Sequence, residues 1–256
     1  MYKFLLGAVG ALAMTVSASA ADLAVRPYTK APAPVVAVYD WSGFYIGLNG
    51  GGGWSHKCWD IVTNIFGAPV VPAASEGCHT ATGALGGGQF GYRWQTGAWV
   101  FGLEAQGDWA NLRGRNVSTA FGVNTNDSRI NAFGLFTGQV GWAANNILLY
   151  VKGGAAVTGD DFRILQTGTN VIASSTVSDT RWGGTVGVGL EYGFSPNWSA
   201  GVEYNHLFMG SRNYTFISNG VLAPVNTQAF ERIRQDVDTV TVRVNYRWGG
   251  PVVAKY

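Results

Sequence analysis

The segment Asp238-Thr239-Val240-Thr241-Val242-Arg243-Val244-Asn245-Tyr246-Arg247-Trp248 alternates without a break. Val240, Val242, Val244, Tyr246 and Trp248 fall on one face, and Thr239, Thr241, Arg243, Asn245 and Arg247 on the other. Successive side chains of a β-strand point to opposite sides, so a period of two reads as a strand. The run is long for a soluble strand, which averages roughly five or six residues, and it matches the ~9–11 residues of a tilted membrane-crossing strand.

Seven more runs share the pattern. Residues 99–109 set Trp99, Phe101, Leu103, Ala105 and Trp109 against Gly102, Glu104, Gln106 and Asp108. Residues 181–194 set Trp182, Val186, Val188, Leu190, Tyr192 and Phe194 against Thr185, Gly187, Gly189 and Glu191. Residues 198–208 set Trp198, Ala200, Val202, Tyr204 and Phe208 against Ser199, Gly201, Glu203 and Asn205. Weaker alternation runs through 44–54, 83–94, 130–142 and 148–157, with Arg93 and Lys152 on the polar parity.

Connections between the runs alternate in length. Residues 95–98, 143–146 and 195–197 carry Gly, Asn-Asn and Ser-Pro-Asn turn chemistry, whereas 55–82, 110–129, 158–180 and 209–236 are long and polar. Short turns at one end and long loops at the other are the habit of an outer-membrane barrel. The expected fold is therefore all-β, an eight-stranded antiparallel up-and-down transmembrane β-barrel over residues 41–256. Four long extracellular loops are expected, with both termini on the periplasmic side.

Alternation alone leaves open which face meets lipid. The aromatic residues decide it. Trp94, Trp99, Trp142, Trp198 and Trp248 sit beside the short turns, and Trp54, Trp109 and Trp182 at the opposite strand ends. Two aromatic girdles around an aliphatic middle suit a bilayer with two interfaces, while a soluble barrel interior has no reason to order its rings so. Charged residues are 12% of the chain, against roughly 25% for a typical water-facing domain.

The polar face then lines the lumen with Arg93, Glu104, Asp108, Lys152, Glu191, Glu203, Arg243 and Arg247. Eight strands leave a bore only wide enough for side chains, so these charges must pair. Glu203 and Arg243 lie at equal distances from the short-turn end of neighbouring strands and are expected to meet. Such a network reads either as a charged gate in a narrow pore or as a polar plug that specifies the barrel.

Residues 1–20 read as a signal peptide, with Lys3, an apolar stretch from Phe4 to Val16, and Ala18-Ser19-Ala20 as the cleavage signal. Residues 21–40 form a Pro/Ala-rich periplasmic leader. The two cysteines, Cys58 and Cys78, suggest a disulfide in an exported chain, closing a loop worth about 3 kcal/mol in the chain-entropy model. Alternatively His56, Cys58, Cys78 and His79 could form a metal set, although their spacing departs from zinc motifs.

Other chemistry is thin. Gly86-Gly87-Gly88-Gln89-Phe90-Gly91 spells a dinucleotide fingerprint, but a strand follows where a helix is needed. His206 lies near Ser211 on the lipid-facing parity, with no carboxylate evidently placed to orient it, so no catalytic residues are assigned. The net charge of +2 carries no concentrated basic patch for nucleic acid, and no cofactor is implied.

The segments Asp40-Trp41-Ser42-Gly43-Phe44-Tyr45-Ile46-Gly47, Gly87-Gly88-Gln89-Phe90-Gly91-Tyr92 and Tyr246-Arg247-Trp248-Gly249-Gly250-Pro251-Val252-Val253-Ala254-Lys255-Tyr256 carry a resemblance. They are similar to the small outer-membrane proteins and immunogenic porins of alphaproteobacteria, a RopB-like group within the OmpA-like β-barrel superfamily. The resemblance spans the mature chain. It implies eight strands, an outer-membrane location amid lipid and lipopolysaccharide, and a part in envelope integrity or small-solute passage. It also implies that the assembly machinery reads a C-terminal aromatic, with Tyr256 in that position. Some relatives bind haem, but no binding motif can be matched here. A surface receptor or adhesin that binds a ligand such as haem or a host molecule through its extracellular loops is the alternative function.

Overall fold

The computed structural model describes residues 39–64 and 67–248. The signal peptide, the leader up to residue 38 and Tyr256 lie outside the described residues.

Eight strands follow one another: β1 Gly43–Thr63, β2 Pro69–Thr96, β3 Trp99–Val117, β4 Asn124–Ala144, β5 Ile147–Gln166, β6 Val177–Ser195, β7 Trp198–Ile217 and β8 Gln228–Arg247. Each pairs antiparallel with its chain neighbours, and β1 pairs with β8, so the sheet closes. Closure removes both free edges, leaving every strand's backbone groups a partner. At one end two-residue turns join β2–β3, β4–β5 and β6–β7. Gly97 (φ 61°) and Asn145 (φ 53°) supply the left-handed conformation that tight hairpins demand.

The strands are 19 to 28 residues long, roughly double the expected length. Much of what reads as long loops in the sequence is continued strand. The connections at this end shrink to residues 64–68, 118–123, 167–176 and 218–227. The reason is a change in the sense of alternation. Between the two girdles, apolar side chains point out, as Val240, Val242 and Val244 do. Above Trp54, Trp109 and Trp182 large apolar residues turn inward and several arginines turn outward: Ile233 is buried between exposed Arg232 and Arg234, and Leu112 beside exposed Arg113. A strand leaving hydrocarbon for water must exchange its faces, and a search for outward apolar residues stops there.

Bulges between Ile130 and Ala132 on β4 and between Phe208 and Gly210 on β7 shift the facing residue by one, which helps bring Ile130 and Tyr214 inward. All eight girdle tryptophans named above lie on the outer surface, from Trp54 at 41% exposed to Trp109 at 78%. Trp41 and Trp59, by contrast, are buried inside. Tyr39 and Asp40, assigned above to the leader, belong to the barrel: the Tyr39 ring lies 4.5 Å from Trp41, and together they cap the interior at the short-turn end against Val100, Leu148 and Tyr150.

Candidate functional site

The interior is stratified. Above the Tyr39–Trp41 cap lies an ionic layer built from inward positions of six strands. Arg93 on β2 meets Glu191 on β6 at 2.9 Å. Lys152 on β5 reaches Glu104 on β3 at 3.0 Å and Glu203 on β7 at 2.6 Å. Arg243 on β8 bridges the same two carboxylates with separate guanidinium nitrogens. Three cations thus face three carboxylates, all nearly inaccessible to solvent. Arg243 sits opposite Gly201 and Glu203 opposite Thr241, so their contact is diagonal rather than level, two residues across the ladder.

Two tyrosines complete the layer. Tyr45 donates its hydroxyl to Glu104 at 2.7 Å, and Tyr150 donates to Glu203 at 2.6 Å. The Arg93 guanidinium lies over the Tyr45 ring at 4.4 Å, a cation–π contact. A Cβ on Gly189 would fall 2.3 Å from the Tyr150 ring, so the glycine gives this phenol its room. The other two predicted lumen charges stand apart. Asp108 accepts from the Gln106 amide at 2.8 Å, and Arg247 donates to the carbonyl oxygens of Ser42 and Pro196 near the cap.

Above the ionic layer an apolar septum fills the bore: Leu85, Leu112, Ile130, Phe133, Leu135, Leu207 and Val237 pack in one cluster, none more than 6% exposed. Next comes a second ion pair, Lys57 to Asp160 at 3.1 Å, both side chains fully buried. Burial pulls the Lys57 ammonium below its ordinary pKa, and Asp160 opposes that fall. Arg181 beside it donates to the carbonyls of Met209, Gly210 and Ile233. An aromatic layer of Trp59, Phe162, Tyr214 and Phe216 closes this level. None of these upper residues was legible as a site, because all but Arg181, at the edge of a predicted strand, fall in stretches that read as loops.

Cys58 and Cys78 face one another across the β1–β2 ladder and are joined in a disulfide. The four-residue metal set is not assembled. His79 turns into the barrel, where it bonds Asn116 at 2.8 Å and Ser128 at 3.1 Å, while His56 stays outside near Cys58. The histidine follows its cysteine directly along β2, so alternation sends the two side chains to opposite faces. The disulfide staples the part of the wall that stands above the girdle. Reduction is expected to speed proteolysis within residues 64–68, while the heat-modifiable band of the folded barrel persists on electrophoresis. Equal cleavage rates with and without reductant would remove this role.

His206 does have an orienting carboxylate. Its Nδ1 lies 2.7 Å from Asp238, directly opposite on β8, and Asp238 also accepts from the Tyr204 hydroxyl at 2.5 Å. The sequence hid this pair because it is made across strands. Among the described residues no serine hydroxyl joins it. The glycine fingerprint lies within β2, as strand.

A closed wall that is apolar and ringed by aromatics outside, and ionic within, defines a transmembrane β-barrel of the outer-membrane class. The chain belongs to the family described as "Outer membrane protein beta-barrel domain", which it matches over residues 6–248. It is 29% identical to the 31 kDa outer-membrane immunogenic protein of Brucella melitensis biotype 1, across 97% of this chain and 100% of that protein. It is 30% identical to a 22 kDa outer membrane protein of Rhizobium leguminosarum bv. viciae, across 71% of each. The crystal structure of the outer membrane protein OprG from Pseudomonas aeruginosa superposes with a TM-score of 0.56 at 13% identity, over 83% of this chain and 99% of that one. That likeness concerns the fold alone. The protein is an outer-membrane β-barrel.

Proposed function

We propose that this protein is a structural element of the envelope, a barrel whose bore is closed in its resting state. The short turns and both termini then face the periplasm after loss of the signal peptide, and the long-strand end stands above the lipopolysaccharide. In this reading the C-terminal strand delivers the chain to the assembly machinery. The observation that carries the reading is the septum. Leu112, Ile130, Leu135 and Leu207 are closed to solvent, and the ionic layer beneath them is balanced charge for charge. An ion crossing would have to displace packed apolar side chains and break buried pairs at once.

Planar-bilayer recording of the refolded protein tests this. The wild type is expected to give no stable conductance at moderate voltage. A Leu135→Gly/Leu207→Gly double variant, with the septum cut, is expected to conduct, and Glu203→Ala and Arg243→Ala alone are not. Reproducible unitary steps from the wild type would overturn the closed-barrel reading in favour of a narrow pore.

A further inference from the structure

Beyond the aromatic layer the barrel opens into a cavity of about 500 Å³. Residues from all four connections at this end contribute to its lining. Ile61, Phe121, Ile164 and Leu222 make its walls apolar, yet two carboxyl groups, Glu76 and Glu231, also line it. Small-molecule sites of roughly 300–1,000 Å³ commonly combine apolar walls with a few converging polar groups.

The two glutamates are placed by the backbone. Along the β1–β2 ladder Trp59 faces Gly77 and Asp60 faces Ser75, leaving Glu76 as the extra residue of a bulge. Gly77 takes φ +97°, a conformation that other residues adopt with strain, and the bulge turns Glu76 inward. Glu231 arrives from β8 by ordinary alternation with Ile233 and Gln235. Both are buried, at 1% and 2% exposure.

Their hydrogen bonding is unequal. Glu76 accepts from the Ser118 hydroxyl at 2.8 Å and the Asn126 amide at 3.2 Å. Glu231 keeps one carboxyl oxygen, Oε2, sealed from solvent and without a hydrogen-bond partner among the described residues. Burial pushes both carboxyls above their usual range, Glu231 furthest, and the charge and hydrogen bonding of Glu76 raise Glu231 further; the hydrogen bonds of Ser118, Asn126 and Glu231 oppose the rise of Glu76, to which Asp60 on β1 adds.

We propose that this cavity binds a small amphiphilic amine, its ammonium seated between Glu76 and Glu231 and its apolar body laid along Ile61, Phe121 and Ile164. On binding, Glu231 Oε2 gains the donor it lacks. A hydrated divalent cation fits poorly, since most of the wall offers no oxygen to replace its water. A neutral apolar guest would leave the carboxyl oxygen as it is, and an anion would meet like charge.

The test uses the full protein refolded into zwitterionic phosphatidylcholine nanodiscs, titrated calorimetrically with 2-phenylethylammonium, 2-phenylethanol and 3-phenylpropionate against empty discs. The amine is expected to bind at least tenfold tighter than the alcohol at pH 7, with no saturable binding of the carboxylate. Glu231→Gln and Glu76→Gln are each expected to erase the preference for amine over alcohol. Glu231→Gln is also expected to unfold no earlier than wild type at pH 7. Its raised folded-state pKa means that wild-type stability declines as pH rises from the unfolded value, and the amide removes that dependence. Ile164→Trp keeps both carboxyls, fills the cavity and is expected to abolish binding. Equal affinities for amine and alcohol, a preference surviving in either glutamine variant, binding surviving in Ile164→Trp, or no saturable amine binding would each overturn the proposal.

Discussion

Replacing Arg243 by alanine is expected to destabilise the barrel by about 3–5 kcal/mol, the loss typical when one partner of a buried ion pair is removed. The guanidinium bridges Glu104 and Glu203, and the Tyr150 hydroxyl lies 3.2 Å from it. Without it, Lys152 alone faces two carboxylates in a bore that water does not reach. The loss comes from stranded charge rather than from the strength of the pair. The triple change Arg243→Met, Glu203→Gln and Glu104→Gln should accordingly recover part of it, although Lys152 then lacks its partners. Urea titration of folding into phosphatidylcholine vesicles reads both effects. An Arg243→Ala midpoint equal to wild type would mean that the ionic layer is solvated, and the closed-bore reading would fall with it.

Val242→Arg is the second large effect, expected at about 2–4 kcal/mol for a cation at the bilayer midplane. Val242 points outward midway between the girdles, whereas Arg234 points outward on the same strand above them. The reverse exchange, Arg234→Val, alters a water-facing position and should stay within about 0.5 kcal/mol. The two substitutions together locate the upper edge of the hydrocarbon. If Val242→Arg folds into vesicles as readily as wild type, the outward apolar face does not lie in lipid.

Much of the wall was readable because a β-barrel in a membrane writes its environment into a period of two. Val240 to Trp248 on one side and Thr239 to Arg247 on the other needed no knowledge of neighbours. The pairing of Glu203 with Arg243 was readable because both lie on the inward parity at similar distances from the short-turn end of neighbouring strands. The upper half was missed where the code reverses. From Lys57 to Ile61, and again from Glu231 to Val237, the alternation continues with polar and apolar faces exchanged, and a reading tuned to lipid takes it for loop. The role of Trp41 was not legible: its position before β1 folds it under the barrel against Val100 and Leu148.

The amino-acid order by itself determined the architecture: eight lipid-crossing strands, their outward and inward faces, the short turns, and which charges are enclosed between the girdles. Only the closed structure decided which enclosed groups meet. Arg93 finds Glu191 on a strand far along the chain, Asp238 finds His206 across a ladder, and Glu76 finds Glu231 through a one-residue bulge. Facing a bilayer is a property each side chain carries locally, whereas contact across the bore depends on register, bulges and closure, which no single strand contains.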